Sequence, residues 1–118
     1  MNELFSFYLK DFLGDLVSSL ARVDFVASID LHTEVFTVKG RVYFKDRGFL
    51  EVYFNELTQT VAAAWIEGEQ RRWGIDRDNL RGWHRHPLEN PAEHEEIPAM
   101  SIADIVKELA EKWKQSSS

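Results

Sequence analysis

Apolar side chains recur at three- and four-residue spacing along the first 22 residues, which is the spacing that lines one face of an α-helix. The members of this stripe are Leu4, Phe5, Tyr8, Leu9, Phe12, Leu13, Leu16, Val17 and Leu20. Asn2 belongs to the residue types that cap the first free amides of a helix. The glycine at position 14 lowers helix stability by about 1 kcal/mol relative to alanine. The pattern predicts an N-terminal helix over residues 1–22.

The apolar period changes to two between residues 23 and 77. The segments FVASIDLH, EVFTVKGRVYFKD, FLEVYFNEL, TVAAAWIE and QRRWGID are rich in β-branched and aromatic residues and alternate partly between apolar and polar positions. KDRG, in which Gly48 can adopt a positive φ, and EGEQ are typical of hairpin turns. This region is predicted to form an antiparallel meander of four to five strands, with Trp65 and Trp73 in the core.

A second helical stripe occupies residues 101–114. Ser101 and Asp104 have the spacing of a capping box. The apolar positions that follow lie on one helical face and are Ile102, Ile105, Val106, Leu109 and Trp113. Two helices packed on one face of an antiparallel sheet make an α+β fold, and the lack of an internal repeat or linker predicts a single domain over residues 1–118.

Composition narrows the class of protein. The chain has 118 residues, of which 44% are hydrophobic and 13% aromatic, so one sizeable core is expected. It contains no cysteine, which excludes disulfides and thiolate chemistry. No apolar run approaches the roughly 20 residues that cross a bilayer, and the N-terminus lacks the basic start of a secretory signal. We therefore expect a cytoplasmic protein with no membrane partner.

Charge is distributed unevenly along the chain. The formal net charge is −6, yet residues 70–87 contain five arginines against two aspartates, and residues 88–96 contain four glutamates and no base. A solvated face with surface ion pairs is the ordinary explanation of such a segment. The alternative is a surface that binds phosphate groups.

Residues 78–100 show no helical or strand period and are predicted to form a loop. Loops longer than about 12–15 residues are uncommon in compact domains unless they are functional or disordered. The stretch GWHRHPLENPAEHEE contains three of the four histidines. His84 and His86 flank Arg85, so in an extended chain both imidazoles point to the same side, about 6.6–7 Å apart. Pro87 favours this extended conformation for His86.

One interpretation of these residues is cleavage of RNA without a metal. Histidine exchanges protons near neutral pH, so His84 and His86 can act as base and acid on the ribose 2′-hydroxyl and the leaving oxygen. Arg72, Arg81 and Arg85 can hold the phosphate through paired hydrogen bonds.

Two other interpretations use the same segment. His84, His86 and His94, with a carboxylate such as Glu93 or Asp78, have the ligand types of a Zn²⁺ site. The segment can also be a non-enzymatic module that binds protein or nucleic acid, or it can have only a role in folding. The residues alone leave these alternatives open.

The stretch RRWGIDRDNLRGWHRHPLENPAEHEEIPAMSIADIVKEL resembles the C-terminal half of the TumE-type family of small prokaryotic toxin–antitoxin proteins. The resemblance covers about residues 35–110. Asp78 and Asn79 match an Asp-Asn element of that family, and residues 84–86 match its His-basic-His run. Many members have a further histidine where this chain has Trp83.

The resemblance implies the toxin component of a toxin–antitoxin pair, with RNA as its target and ribonuclease activity. His84 and His86 would be catalytic, and Asp78 or Asn79 would orient an imidazole. A small helix-turn-helix antitoxin would be the partner.

Overall fold

The chain forms seven antiparallel strands and two helices in a computed structural model, which describes residues 7–116. Along the chain the elements are α1 (Leu9–Leu20), β1 (Val26–Thr33), β2 (Thr37–Phe44), β3 (Phe49–Asn55), β4 (Thr60–Glu67), β5 (Gln70–Asp78), β6 (Gly82–His86), β7 (Glu95–Glu96) and α2 (Ile102–Ser116). The strands lie side by side in chain order, so the sheet is a continuous meander.

The predicted α+β class, with an antiparallel sheet and one helix at each end, is confirmed. The predicted count of four to five strands was wrong, because the sheet has seven. Strands β1 to β5 arise from the region predicted to form the meander. Strands β6 and β7 lie within residues 78–100, which were predicted to be a loop. Polar and charged side chains dominate both strands, so the pairing of β6 with β5 and of β7 with β6 left no apolar period in the sequence.

Helix α1 begins at Leu9 and continues through Gly14 without a break. Its first turn is stabilised by side chains of the β3–β4 turn. Glu56 Oε1 accepts a hydrogen bond from the Leu9 amide at 2.7 Å, and the Gln59 side chain forms hydrogen bonds of 2.8 and 2.9 Å with the backbone of Phe7. Leu4, Phe5 and the predicted cap Asn2 lie outside the described residues.

Both helices pack on one face of the sheet and enclose the core there. The buried apolar residues of this core include Phe12, Leu16, Leu20, Val38, Val42, Leu50, Val52, Phe54, Val61, Trp65, Trp73, Ile75, Ile105, Val106 and Leu109. Phe12 of α1 stacks on Phe54 of β3, with ring centroids 4.4 Å apart. Trp65 and Trp73 are fully buried, as predicted.

The opposite face of the sheet, called here the open face, is not covered by α1 or α2. Strand register aligns one row of its residues across the sheet from β1 to β6, and this row is His32, Lys39, Tyr53, Ala62, Asp76 and His84. The His84 side chain therefore lies on the open face and not on the face that packs against the helices.

Ser101 caps α2 as predicted, since its Oγ accepts a hydrogen bond from the Asp104 amide at 3.0 Å. We expect Ser101→Ala to lower the free energy of unfolding by about 1 kcal/mol, because the amide loses its acceptor. Urea unfolding followed by circular dichroism measures this change. Ser18→Ala, at an exposed position of α1, is the control and should change stability by less than about 0.5 kcal/mol. Equal effects of the two substitutions would contradict the capping role.

Candidate functional site

The β5–β6 hairpin brings two histidines and one aspartate to the same face of the sheet. Asp76 pairs with His84, and Gly74 pairs with His86. Residues two apart in a strand point to the same face, so both imidazoles lie on the open face beside the Asp76 carboxylate. Both histidines are nevertheless only 4% exposed.

His94 completes the group from the segment that leads into β7. Turn hydrogen bonds from the Asn90 amide to the Pro87 carbonyl and from the Glu93 amide to the Asn90 carbonyl fold this segment back. The His94 ring centroid lies 5.5 Å from that of His84 and 4.6 Å from that of His86. One ring nitrogen from each of the three histidines lies within 4.8 Å of the others. The predicted trio is therefore close enough to bind a metal ion.

Hydrogen bonds orient the two buried imidazoles so that both Nε2 atoms face the same carboxylate oxygen. His86 Nδ1 lies 2.9 Å from the Pro91 carbonyl oxygen, to which it can only donate. In a neutral ring, Nε2 of His86 then carries a lone pair, and it lies 3.1 Å from Asp76 Oδ2. His84 Nε2 lies 3.4 Å from the same oxygen. A lone pair facing a carboxylate oxygen is favourable only when a proton or a metal ion lies between them.

Asp76 was missed in the sequence, where Glu93 and Asp78 were considered as the carboxylate. The missing signal was strand pairing, because residue 76 meets the histidines only through the β5–β6 register. Asp78 caps the hairpin turn instead, and its Oδ1 accepts hydrogen bonds from the amides of Leu80 and Arg81 at 2.9 and 2.7 Å. The hydrogen bond from Arg81 is the main cause that lowers the pKa of Asp78.

Asn79 also serves the turn. Its Oδ1 accepts a hydrogen bond from Arg77 at 2.8 Å, and its Nδ2 donates to the Thr58 carbonyl at 3.2 Å. The hydrogen bonds of Asp78 and Asn79 thus join turn residues and do not reach an imidazole. The carboxylate that contacts the imidazoles is that of Asp76.

Two of the three arginines predicted to hold phosphate are already paired with glutamates. Arg85 points to the helical face, where Nε and Nη2 donate to both oxygens of Glu108 at 2.7 and 2.8 Å. Its Nη1 lies 3.3 Å from Glu95 Oε1. Arg72 forms an ion pair with Glu67. The guanidinium groups of Arg72 and Arg85 are therefore engaged within the protein.

Arg81 is the predicted arginine that lies beside the histidines. It lines an open cleft of about 470 Å³ together with Leu80, His84, His94 and Glu96. Partial desolvation lowers the pKa of His94, and the positive charge of Arg81 lowers it further. Neutral imidazole is the form that binds metal ions. The cleft thus reaches His84 and His94 from solvent and places a cation next to them.

The contacts of Asp76 with the two buried imidazoles have the spacing of neighbouring ligands around a small transition metal. Zn–N and Zn–O bonds of about 2.0–2.2 Å in a tetrahedral site place neighbouring ligand atoms about 3.3 Å apart. The two distances from Asp76 Oδ2, 3.1 and 3.4 Å, fall at this value. The ring nitrogens of His84, His86 and His94 lie within 4.8 Å of one another, so the three imidazoles would move inward to bind one ion, and Asp76 contacts two of them.

No family model matches the chain, and the searches of curated proteins and of solved structures found no match either. Neither helix within residues 7–116 combines the length and the apolar character that crossing a membrane requires. The resemblance to the TumE-type family stays a prediction.

Proposed function

We propose that the protein binds one divalent transition-metal ion of the zinc class through His84, His86, His94 and Asp76. The observation that supports this most strongly is the meeting of two buried Nε2 atoms on one oxygen of Asp76. Such an arrangement leaves three groups able to donate electron pairs around a single point. A cation at that point satisfies all of them together.

The surroundings of the imidazoles support the same conclusion. Histidines that bind metals usually donate their second ring N–H to a carbonyl or a carboxylate, which holds the ring in place. His86 makes such a bond to the Pro91 carbonyl, and His84 Nδ1 faces the Gly82 carbonyl at 3.4 Å. A donor set rich in imidazole favours zinc, nickel, copper or iron over calcium and magnesium, which prefer oxygen ligands.

Metal content tests the proposal directly. Untagged protein, stripped with a chelator and titrated with Zn²⁺ in a calorimeter, should bind one equivalent, and His86→Ala should bind none. His32→Ala is the matched control, because His32 also pairs with an aspartate, Asp30, at 3.3 Å, but its side chain is 72% exposed on β1. Circular dichroism verifies that each variant is folded.

Two results would contradict metal binding. The first is that folded wild-type protein takes up no Zn²⁺, Ni²⁺ or Mn²⁺ at micromolar concentration. The second is that His86→Ala and His32→Ala both bind zinc with the affinity of the wild type, which would place the ion elsewhere.

A second candidate function is RNA cleavage by a toxin component, held inactive by a small helix-turn-helix antitoxin. Arg81 favours it, because this cation lies in the open cleft beside His84 and His94. The metal-independent version of this activity has weaker support, since Arg85 is paired with Glu108 and both proposed catalytic imidazoles are buried. RNA cleavage that persists in excess chelator and disappears in His84→Ala would favour it over a metal-dependent activity.

A further inference from the structure

A trough of about 450 Å³ crosses the open face next to the histidines. The small side chains of Ala62 and Ala64 on β4 form part of its floor. Tyr53 of β3 lines it on one side, and Asp76 of β5 lines it on the other. Since Asp76 also contacts His84 and His86, the trough ends at the cluster of His84, His86 and His94, called here the histidine cluster.

Cations line this trough in a chain whose formal net charge is −6. Lys39, Arg41 and Arg71 all belong to its lining. Arg41 is paired with Glu51 at 3.6 Å, and Asp76 faces the histidines.

Three cations on this surface form no ion pair within the described part of the chain. Lys39 and Arg71, together with Arg81 in the cleft beyond the histidines, make no ion pair with any residue between positions 7 and 116. Their charges are available to an anionic ligand, and a bound metal ion would add two more positive charges.

The shape of the trough suits an extended ligand with flat rings. Adjacent strands lie about 4.8 Å apart, so the aligned row from Lys39 on β2 to His84 on β6 covers about 19 Å. Tyr53 is the second of the five residues in that row, next to Lys39, and its partly exposed ring can stack on a base. Proteins bind single-stranded nucleic acid with this combination of basic groups along the backbone and aromatic rings under the bases.

We propose that the trough binds single-stranded nucleic acid, with Lys39, Arg71 and Arg81 on its phosphates and Tyr53 stacked on a base. The bound strand then passes the histidine cluster and presents a phosphodiester to it. Binding of the strand is inferred from the trough and from Arg81 in the adjoining cleft. Only the position of a metal ion beside the phosphodiester rests on the proposed function. An acidic peptide offers similar charge but no bases to stack on Tyr53, so it should bind more weakly.

Fluorescence anisotropy with a labelled single-stranded RNA of 12 nucleotides tests the proposal on the full chain, with zinc and after chelation, from 50 to 300 mM salt. The logarithm of affinity should fall linearly with the logarithm of salt concentration, by about 0.7 for each phosphate contact. A triple substitution of Lys39, Arg71 and Arg81 by alanine should therefore reduce the slope by about 2.

The control is a second triple variant that removes the same number of positive charges on the helical side of the molecule, where Lys10, Arg22 and Lys107 are exposed. Alanine at these three positions should leave the slope unchanged. Tyr53→Ala should weaken binding about fivefold or more, whereas Tyr53→Phe keeps the ring and should bind like the wild type. Circular dichroism confirms the fold of each variant.

Equal slopes for the two triple variants would overturn the proposal, as would displacement of the RNA by oligoglutamate at equal concentration. The test separates this proposal from metal binding. RNA binding that depends on Lys39, Arg71 and Arg81 in a protein that takes up no zinc supports the trough and contradicts the metal site. Zinc uptake without RNA binding supports the metal site and contradicts binding of nucleic acid in the trough.

Discussion

Zinc at one hundred times its dissociation constant is expected to raise the free energy of unfolding of the wild-type protein by about 2.7 kcal/mol. The proposed ligands come from β5, β6 and the segment before β7 and are up to 18 residues apart in sequence, from Asp76 to His94. Unfolding separates them, so the ion binds the folded state in preference. Urea unfolding with added zinc and with chelator measures the difference.

The same measurement on His86→Ala should show no stabilisation by zinc, because the variant lacks a buried ligand. His32→Ala should retain the full effect. The chain contains no cysteine, so thiolates cannot hold zinc in the unfolded state and reduce the difference. Stabilisation of equal size in His86→Ala would show that zinc acts at another place.

Glu108→Gln is expected to lower the free energy of unfolding by about 2–3 kcal/mol at neutral pH. The Glu108 side chain is 13% exposed and accepts hydrogen bonds from Trp73 Nε1 and from two nitrogens of Arg85. Removing one partner of a buried ion pair costs about 3–5 kcal/mol, and the 22% exposure of Arg85 reduces this. Urea unfolding of both proteins gives the difference.

The effect of Glu108→Gln should depend on pH in one direction. Burial alone would raise the pKa of Glu108, but hydrogen bonds from Arg85 and Trp73, with the charges of Arg85 and Lys112, lower it. A carboxyl whose pKa is lowered by folding stabilises the protein above its unfolded pKa. The difference between wild type and variant should therefore be complete at pH 7, decrease below about pH 4.3 and vanish below the folded pKa.

Glu111→Gln provides the control, since Glu111 is exposed on the same helix. Its effect on stability should be small at every pH. A Glu108→Gln effect that stays constant from pH 7 to pH 3 would contradict the role of the ionised carboxylate.

The Glu108–Arg85 pair also bears on the functional site. Arg85 lies between His84 and His86 in β6 but points to the opposite face, where Glu108 of α2 holds it. The ion pair therefore attaches the strand that carries both histidines to the helical layer. Glu108→Gln should consequently loosen the proposed metal site in addition to lowering stability.

The sequence by itself determined the elements whose signals are local. The apolar stripe and the Ser101 cap of α2 are properties of consecutive residues, as are the alternating patterns of β2 and β3. The alternation of His84 and His86 also predicted correctly that both imidazoles share one face, because side-chain direction in a strand has a period of two.

Only the tertiary structure decided which groups meet. Strands β6 and β7 exist through hydrogen bonds to neighbouring strands and have no apolar period of their own. Asp76 reaches the histidines through the register of a hairpin, and Glu108 reaches Arg85 across 23 residues. Pairing and packing join residues distant in sequence, and no local pattern encodes those contacts. The sequence therefore identified His84, His86 and His94 as a candidate group. The strand register, which only the fold shows, places the Asp76 carboxylate against His84 and His86.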